Sequence, residues 1–203
     1  MEEVRKVDPI SEWDFEIPVV RCNPKATSLK SRKFPRLYLA GKISKNDWRH
    51  PLVPALRSAR WEDGPIRTPD YAYVGPFFVG CDHGCAHGPN THGAVIAEDH
   101  AICTTGSDKS EVIRRNVAAL ADANLVFAYI TAKDCYGTLF ELGMAAALGK
   151  RVVICFAPDI APDDFWFVNG QANSVYETVN VCCLKSLLFA EIRILLAERV
   201  GNR

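Results

Sequence analysis

The chain has 203 residues, 48% of them hydrophobic, with 24 basic and 24 acidic side chains. That is enough apolar material to bury a core as one domain, and the balanced charge argues against an electrostatic binder of nucleic acid or of a membrane surface. No run reaches the length of a membrane span, and the charged start MEEVRKVDPISEWDFEIP lacks the apolar centre of a signal peptide.

Residues 1–35 carry four prolines and dispersed charge, which reads as an irregular arm. Leu37–Ala40 is predicted as the first strand and Gly41–Asp47 as its exit loop. Asp47 can cap a helix to about Arg60, interrupted early by Pro51 and Pro54. Residues 62–76 hold three Gly-Pro or Thr-Pro breaks and read as loop with short extended pieces. Phe77-Phe78-Val79 is a candidate strand, and residues 80–93 form a Gly/His/Cys loop. Asp108–Ala123 is predicted as a helix with Ile113, Val117 and Leu120 on one face. Leu125–Ile130 (LVFAYI) and Val152–Phe156 (VVICF) are short β-branched and aromatic runs, the pattern of buried parallel strands. Val175–Val181 is a candidate last strand. Leu184–Val200 reads as an amphipathic helix with Leu187, Ile192, Leu195 and Leu196 inward.

The stretch between the two buried strands, DCYGTLFELGMAAALGK (Asp134–Lys150), carries the most information. It has a turn at Tyr136-Gly137, a helix start at Thr138, a body rich in Ala, Leu and Met, and a stop at Gly149. Strand, loop, helix and strand make a βαβ unit. Its loop leaves the carboxyl end of a strand, where open α/β sheets place their sites. Glu141 would then lie in the first helical turn, facing that crevice, where a carboxylate can act as a nucleophile. Thr138-Leu139-Phe140-Glu141 also fits a capping box, in which both side chains satisfy backbone donors. The two readings are compatible, since a helix N-terminus favours the ionised form a nucleophile needs.

This stretch resembles the signature of the nucleoside 2-deoxyribosyltransferase superfamily, which includes nucleoside-monophosphate N-glycosidases. The matching residues are Gly137, Thr138, Glu141, Leu142, Gly143, Ala145, Ala146, Gly149 and Lys150. RLYLAGKIS (Arg36–Ser44) resembles the family's first strand and substrate loop, and ADANLVFAYI (Ala121–Ile130) the strand before its catalytic loop. Gln171-Ala172-Asn173 resembles a segment that some members lend to a neighbouring subunit. The resemblance covers about 36–60 and 109–199. It leaves 1–35 and 64–108 unexplained. The alternation of elements suggests a flavodoxin-like or Rossmann-like doubly wound sheet of five parallel strands, with residues 64–108 as a loop-rich insertion in a single domain spanning 36–203.

For function the resemblance implies cleavage or transfer of the N-glycosidic bond of a (deoxy)nucleoside or nucleotide, with Glu141 trapping the sugar as a glycosyl ester. In much of the family an aspartate lies eight residues before the residue that opens the next strand. Counting back from Asn124 gives Asn116, an amide that hydrogen-bonds but cannot act as a general acid. Asp134 can substitute, or be an ordinary loop aspartate. Gly41 allows close backbone approach after the first strand, and Lys42, Ser44 and Arg49 can hold phosphate or ribose oxygens or belong to a solvated loop. Tyr38 matches a position whose ring lies under the substrate in some relatives, with a buried core tyrosine as the rival reading. Gly137, Thr138 and Asn173 complete the expected substrate contacts.

Cys81–His92 (CDHGCAHGPNTH) is dense in thiols and imidazoles. Cys81, His83, Cys85 and His87 are zinc ligands by type, but their strict alternation is not the usual knuckle. A pocket loop, in which Asp82 and His83 touch the substrate, is favoured slightly over structural zinc, and a plain Gly-rich turn remains open. No cofactor is required by the chemistry. The expected partners are a small nucleoside or nucleotide and further copies of the chain, without nucleic acid or membrane. The eight cysteines form no disulfide framework, as in a reducing cytoplasm. The rival class is a non-catalytic nucleotide-binding or zinc-stabilised sensor on the same scaffold.

Overall fold

The computed structural model describes residues 34–43, 47–57, 59, 64–77 and 109–201, all within the compact unit Lys33–Arg203. Six strands form one sheet: β1 (Arg36–Ala40), β2 (Ile66–Arg67), β3 (Ala72–Gly75), β4 (Leu125–Ile130), β5 (Arg151–Phe156) and β6 (Ser174–Tyr176). Their order is β2-β3-β1-β4-β5-β6. Five are parallel, and β2 alone runs antiparallel, on the edge beside β3. The α-helices among the described residues are α1 (Lys109–Asp122), α2 (Tyr136–Ala147), α3 (Trp166–Asn169) and α4 (Leu184–Gly201). The expected Rossmann-like fold is therefore present, with a sixth short strand added.

Alternation along the strands explains why helices cover both faces. Leu37 and Leu39 of β1 join Phe127, Tyr129, Val153 and Cys155 in one cluster, closed by Leu184, Leu188, Ile192 and Leu195 of α4. Tyr38 and Ala40 join Val126, Ala128 and Ile154 in the other, closed by Leu120 of α1 and by Leu142 and Ala145 of α2. β4 is buried at all six positions, as its continuous apolar run requires. At the N-terminal ends of the strands, Asn124 accepts from the Arg36 amide and donates its own to the Arg36 carbonyl, while its carbonyl takes the Arg151 amide. Glu191 of α4 is fully buried and is held by Arg151 and by the Tyr176 hydroxyl.

Several local expectations are corrected. The short extended pieces expected within 62–76 are β2 and β3, and β3 pairs with β1 inside the sheet rather than remaining part of a loop. Phe77 follows β3, and 78–79 lie outside the described residues. The helix expected from Asp47 to Arg60 is a turn around Trp48–Leu52 and a 3-10 helix at Pro54–Arg57, broken by Pro51 and Pro54. The last strand covers only Ser174–Tyr176. In α4, Leu196 is exposed rather than inward. Of the aromatic run, Phe165 is buried while Trp166 and Phe167 are exposed.

The capping box does not form. α2 starts at Tyr136 with Cys135 at its N-cap and no side-chain cap bond, so Glu141 sits in the second turn, not the first. The helix ends as expected at Gly149. Its φ of +65° carries a left-handed stop, with the Gly149 amide on the Ala146 carbonyl and the Lys150 amide on Ala145. Lys150 Nζ then donates to the Ala121 carbonyl in the last turn of α1, 2.6 Å away.

Candidate active site

The chain reverses direction across the sheet between β1 and β4, because β3 lies on one side of β1 and β5 on the far side of β4. Such a switch point opens a crevice at the carboxyl ends of the strands. The loops after β1 and β4 meet there. Lys42 Nζ donates to both oxygens of Asp134, at 2.9 and 2.7 Å. This ion pair is exposed, so it orders the loops more than it stabilises the fold. It holds the Asp134 carboxyl below its ordinary range, through the hydrogen bond first and the charge second. Asp134 is thus a carboxylate, suited to accept rather than to donate a proton.

Beneath the loops, Glu141 reaches from α2 to β1. Tyr38 Oη donates to Glu141 Oε1 at 2.6 Å, across 103 residues of sequence. The side-chain alternation of β1 turns Tyr38 toward α2, while Leu37 and Leu39 turn toward α4. Tyr38 is completely buried, as the core reading expected, yet its hydroxyl is part of the site. Burial, then the facing carboxylate, raises its pKa well above the usual value, so it remains a donor at every working pH. Burial also raises Glu141, opposed by the Tyr38 hydrogen bond and the Arg49 charge. A partly desolvated carboxylate whose ionised form is favoured by a donor and a cation has the physical character of a nucleophile.

Arg49 departs from its expected role. It is fully buried, and its guanidinium bonds Leu39 O, Gly41 O and both oxygens of Asp47, so it is not presented to a substrate. Gly41 does provide close approach, but to protein: a Cβ there would lie 2.7 Å from the Tyr129 carbonyl and 3.1 Å from Trp48 Nε1, at φ +151°. Gly41→Ala is therefore expected to cost about 1–3 kcal/mol through clash and backbone strain, read as a lower midpoint in urea with an unchanged slope. An unaltered midpoint would show that the β1 exit tolerates a side chain.

A pocket of about 260 Å³ lies between β3 and α1, lined by Asn116, Ala119, Val74, Gly75, Phe77 and Arg115 among others. It adjoins the Tyr38 layer at Gly75, where a Cβ would fall 3.1 Å from Ala119 and 3.2 Å from the Tyr38 ring. Asn116 thus borders a cavity whose wall at Gly75 backs onto the Tyr38 ring, while neither Tyr38 nor Glu141 lines it. Gly137 is exposed at the start of α2, while Thr138 is buried, so the two flank the loop differently. Asn173 is not in this chain's own crevice. Its Oδ1 accepts from the Val152 amide at 2.8 Å, near the opposite end of β5. Ser44, Asp82, His83, Cys81, Cys85 and His87 lie outside the described residues. Among those described, no cluster of three His, Cys, Asp or Glu side chains could hold a metal, and no helix is long and apolar enough to cross a membrane.

Sequence reasoning missed the roles of Arg49 and Asp47. An Asp-Trp-Arg triplet in a loop signals at most a helix cap, and only the buried geometry shows a clamp.

Fold and site together define a Rossmann-like α/β protein with a half-buried, tyrosine-bonded glutamate beside the switch point of its sheet. The chain belongs to the nucleoside 2-deoxyribosyltransferase family, whose sequence profile matches residues 37–171. That span runs from β1 through α3 and contains Tyr38, Asn116, Asp134 and Glu141. The family is enzymatic, and membership carries N-glycosyl transfer as the general class of reaction and nucleosides as the class of substrate. A search of curated proteins finds no match.

Proposed function

We propose that the chain cleaves or transfers the N-glycosidic bond of a nucleoside or nucleotide through an ester on Glu141. The observation that carries this reading is the Tyr38–Glu141 hydrogen bond of 2.6 Å beside the switch-point crevice. Glu141 attacks the anomeric carbon as the bond to the base nitrogen breaks, and the base leaves with the bonding electrons. Water or a second base then attacks the same carbon, the ester breaks and the carboxylate returns. Asp134, ionised beside Lys42, fits as acceptor for a sugar hydroxyl or for the proton of the second attacking group. Asn116 donates hydrogen bonds from the wall of the pocket but no proton, so the departing base takes its proton from water.

The test is incubation of the full chain with nucleosides, deoxynucleoside monophosphates and NAD, with and without an acceptor base, and chromatography of free base. Base released only with an acceptor identifies a transferase, and base released without one a hydrolase. Tight binding without release from any substrate would favour the nucleotide-sensor reading, which the amide at Asn116 supports.

We also propose a homo-oligomer. Tyr136 and Phe140 are 77% and 66% exposed on α2, followed on that helix by exposed Gly143 and Ala147, and Trp166 and Phe167 are 73% and 70% exposed on α3. An aromatic and small-residue stripe of this kind suits close packing against a second copy. Phe140→Asp is expected to reduce the assembly to monomers by light scattering without lowering the melting temperature of the monomer. A wild-type protein that is monomeric and fully active at assay concentration would refute the assembly.

A further inference from the structure

Arg49 is the largest fully buried side chain among the described residues. A guanidinium out of water persists only where its donors are used and its charge is met. Nε donates to Leu39 O at 2.8 Å, Nη2 to Gly41 O at 2.5 Å, and Nη1 to the two oxygens of Asp47 at 2.8 and 2.9 Å. Asp47 also accepts from the Arg49 amide at 2.9 Å, and the Trp48 ring lies 4.6 Å from the guanidinium carbon. Trp48 in turn packs edge-on against Tyr129 of β4, with centroids 5.6 Å apart.

These bonds fall where the site is built. Leu39 and Gly41 bracket the last residue of β1, one position after Tyr38 and one before Lys42. The residue that bonds Glu141 and the residue that pairs with Asp134 are thus both indexed by one side chain. Arg49 also acts as a cation on both members of the Tyr38–Glu141 pair, opposing the effect of burial on each. At the neighbouring Tyr73, which feels both charges, Asp47 acts with the sign opposite to that of Arg49.

Building on Glu141 as the nucleophile, we propose that Arg49 is a positioning residue for the reaction. Its buried fork fixes the end of β1, and with it the Tyr38 hydroxyl and the Lys42 ammonium, and places a cation beneath the Tyr38–Glu141 pair. Among the described residues, the titratable and charged groups that interact with Glu141 are Tyr38, through its hydrogen bond, and Tyr73 and Arg49, through charge, with Asp47 as the counter-charge of Arg49.

The experiment follows kcat, KM and the pH dependence of kcat/KM for base release by the full chain, using whichever substrate the panel identifies. Arg49→Met removes the charge and keeps the bulk. It is expected to lower kcat by about 100-fold with KM within threefold, and to move the acid limb to higher pH. Asp47→Asn leaves the cation uncompensated and is expected to move that limb to lower pH. Arg49→Lys keeps the charge without the fork, so the limb stays in place while kcat falls by about tenfold. Opposite movements of the limb in the Met and Asn variants are an effect that packing alone does not produce. Limbs that stay fixed or move together would overturn the proposal, as would full kcat in a folded Lys variant. If Arg49→Met gives no cooperative melt, the Lys and Asn variants decide. Failure of all three to fold would assign Arg49 to stability and overturn its role in positioning. Turnover surviving in Glu141→Gln would instead overturn the underlying assignment of the nucleophile.

Discussion

Glu141→Gln is expected to lower base release by roughly 10³–10⁶-fold, the range seen when a nucleophile is removed, and to leave the protein more stable. The amide is nearly isosteric and its oxygen still accepts from Tyr38, so the contact at 2.6 Å survives. What disappears is a charge that burial disfavours. The folded-state pKa of Glu141 is raised above its unfolded value, so the native state holds more protons in the window between them. Wild-type stability is therefore full below the unfolded pKa and falls as pH rises through the folded one. The Gln variant lacks this loss. Its advantage should be absent below the unfolded carboxyl range and grow toward neutrality, as a higher melting temperature than wild type. Calorimetry in both pH ranges checks it. Equal melting temperatures at neutral pH would mean that the carboxylate is not strained by its site, and near-normal turnover would remove Glu141 from the chemistry.

Tyr38→Phe should have the second largest effect. The ring keeps its place among Ala40, Val126 and Leu142, but Glu141 loses a donor whose proton never titrates away in the working range. The carboxylate then protonates more readily, and the acid limb of kcat/KM moves to higher pH. Removing one preorganised donor from a dry site typically costs about 10²–10³-fold in kcat. Leaving a buried acceptor unmatched costs about 1–3 kcal/mol, and part of that should vanish in the Glu141→Gln background, where no charge is left to stabilise. A double-mutant cycle measures this coupling. Additive effects on both rate and stability would show that the hydroxyl and the carboxylate do not act as a unit.

The βαβ core was legible because its signals are local. LVFAYI and VVICF are continuous apolar runs, and Gly149 marks a helix stop that the structure repeats at φ +65°. β3 was legible only as a short extended piece, because AYVG is framed by Thr68-Pro69 and Gly75-Pro76, and its place beside β1 was not. The site was legible in its residue types and not in its contacts. Tyr38 and Glu141 are each ordinary in their own segments, and only the register of β1 against β4 brings α2 over the tyrosine. Thr138 and Glu141 mimicked a cap because local spacing does not reveal that the helix starts two residues earlier, at Tyr136. Arg49 read as a surface ligand for phosphate because nothing in a loop sequence distinguishes a solvated guanidinium from one sealed under a tryptophan.

The family signature ends in Gly149-Lys150, and neither residue touches Glu141 in the bonds described. Gly149 turns the chain out of α2, and Lys150 closes the far end of α1 on the Ala121 carbonyl. The diagnostic string therefore joins two kinds of residue, one answerable to chemistry and one to architecture. A descendant that abandoned catalysis would still be held to the second kind by the need to fold. An inherited substitution at Lys150 would surface as a loosened α1, and so as a misshapen wall beside Asn116, with every reacting group intact.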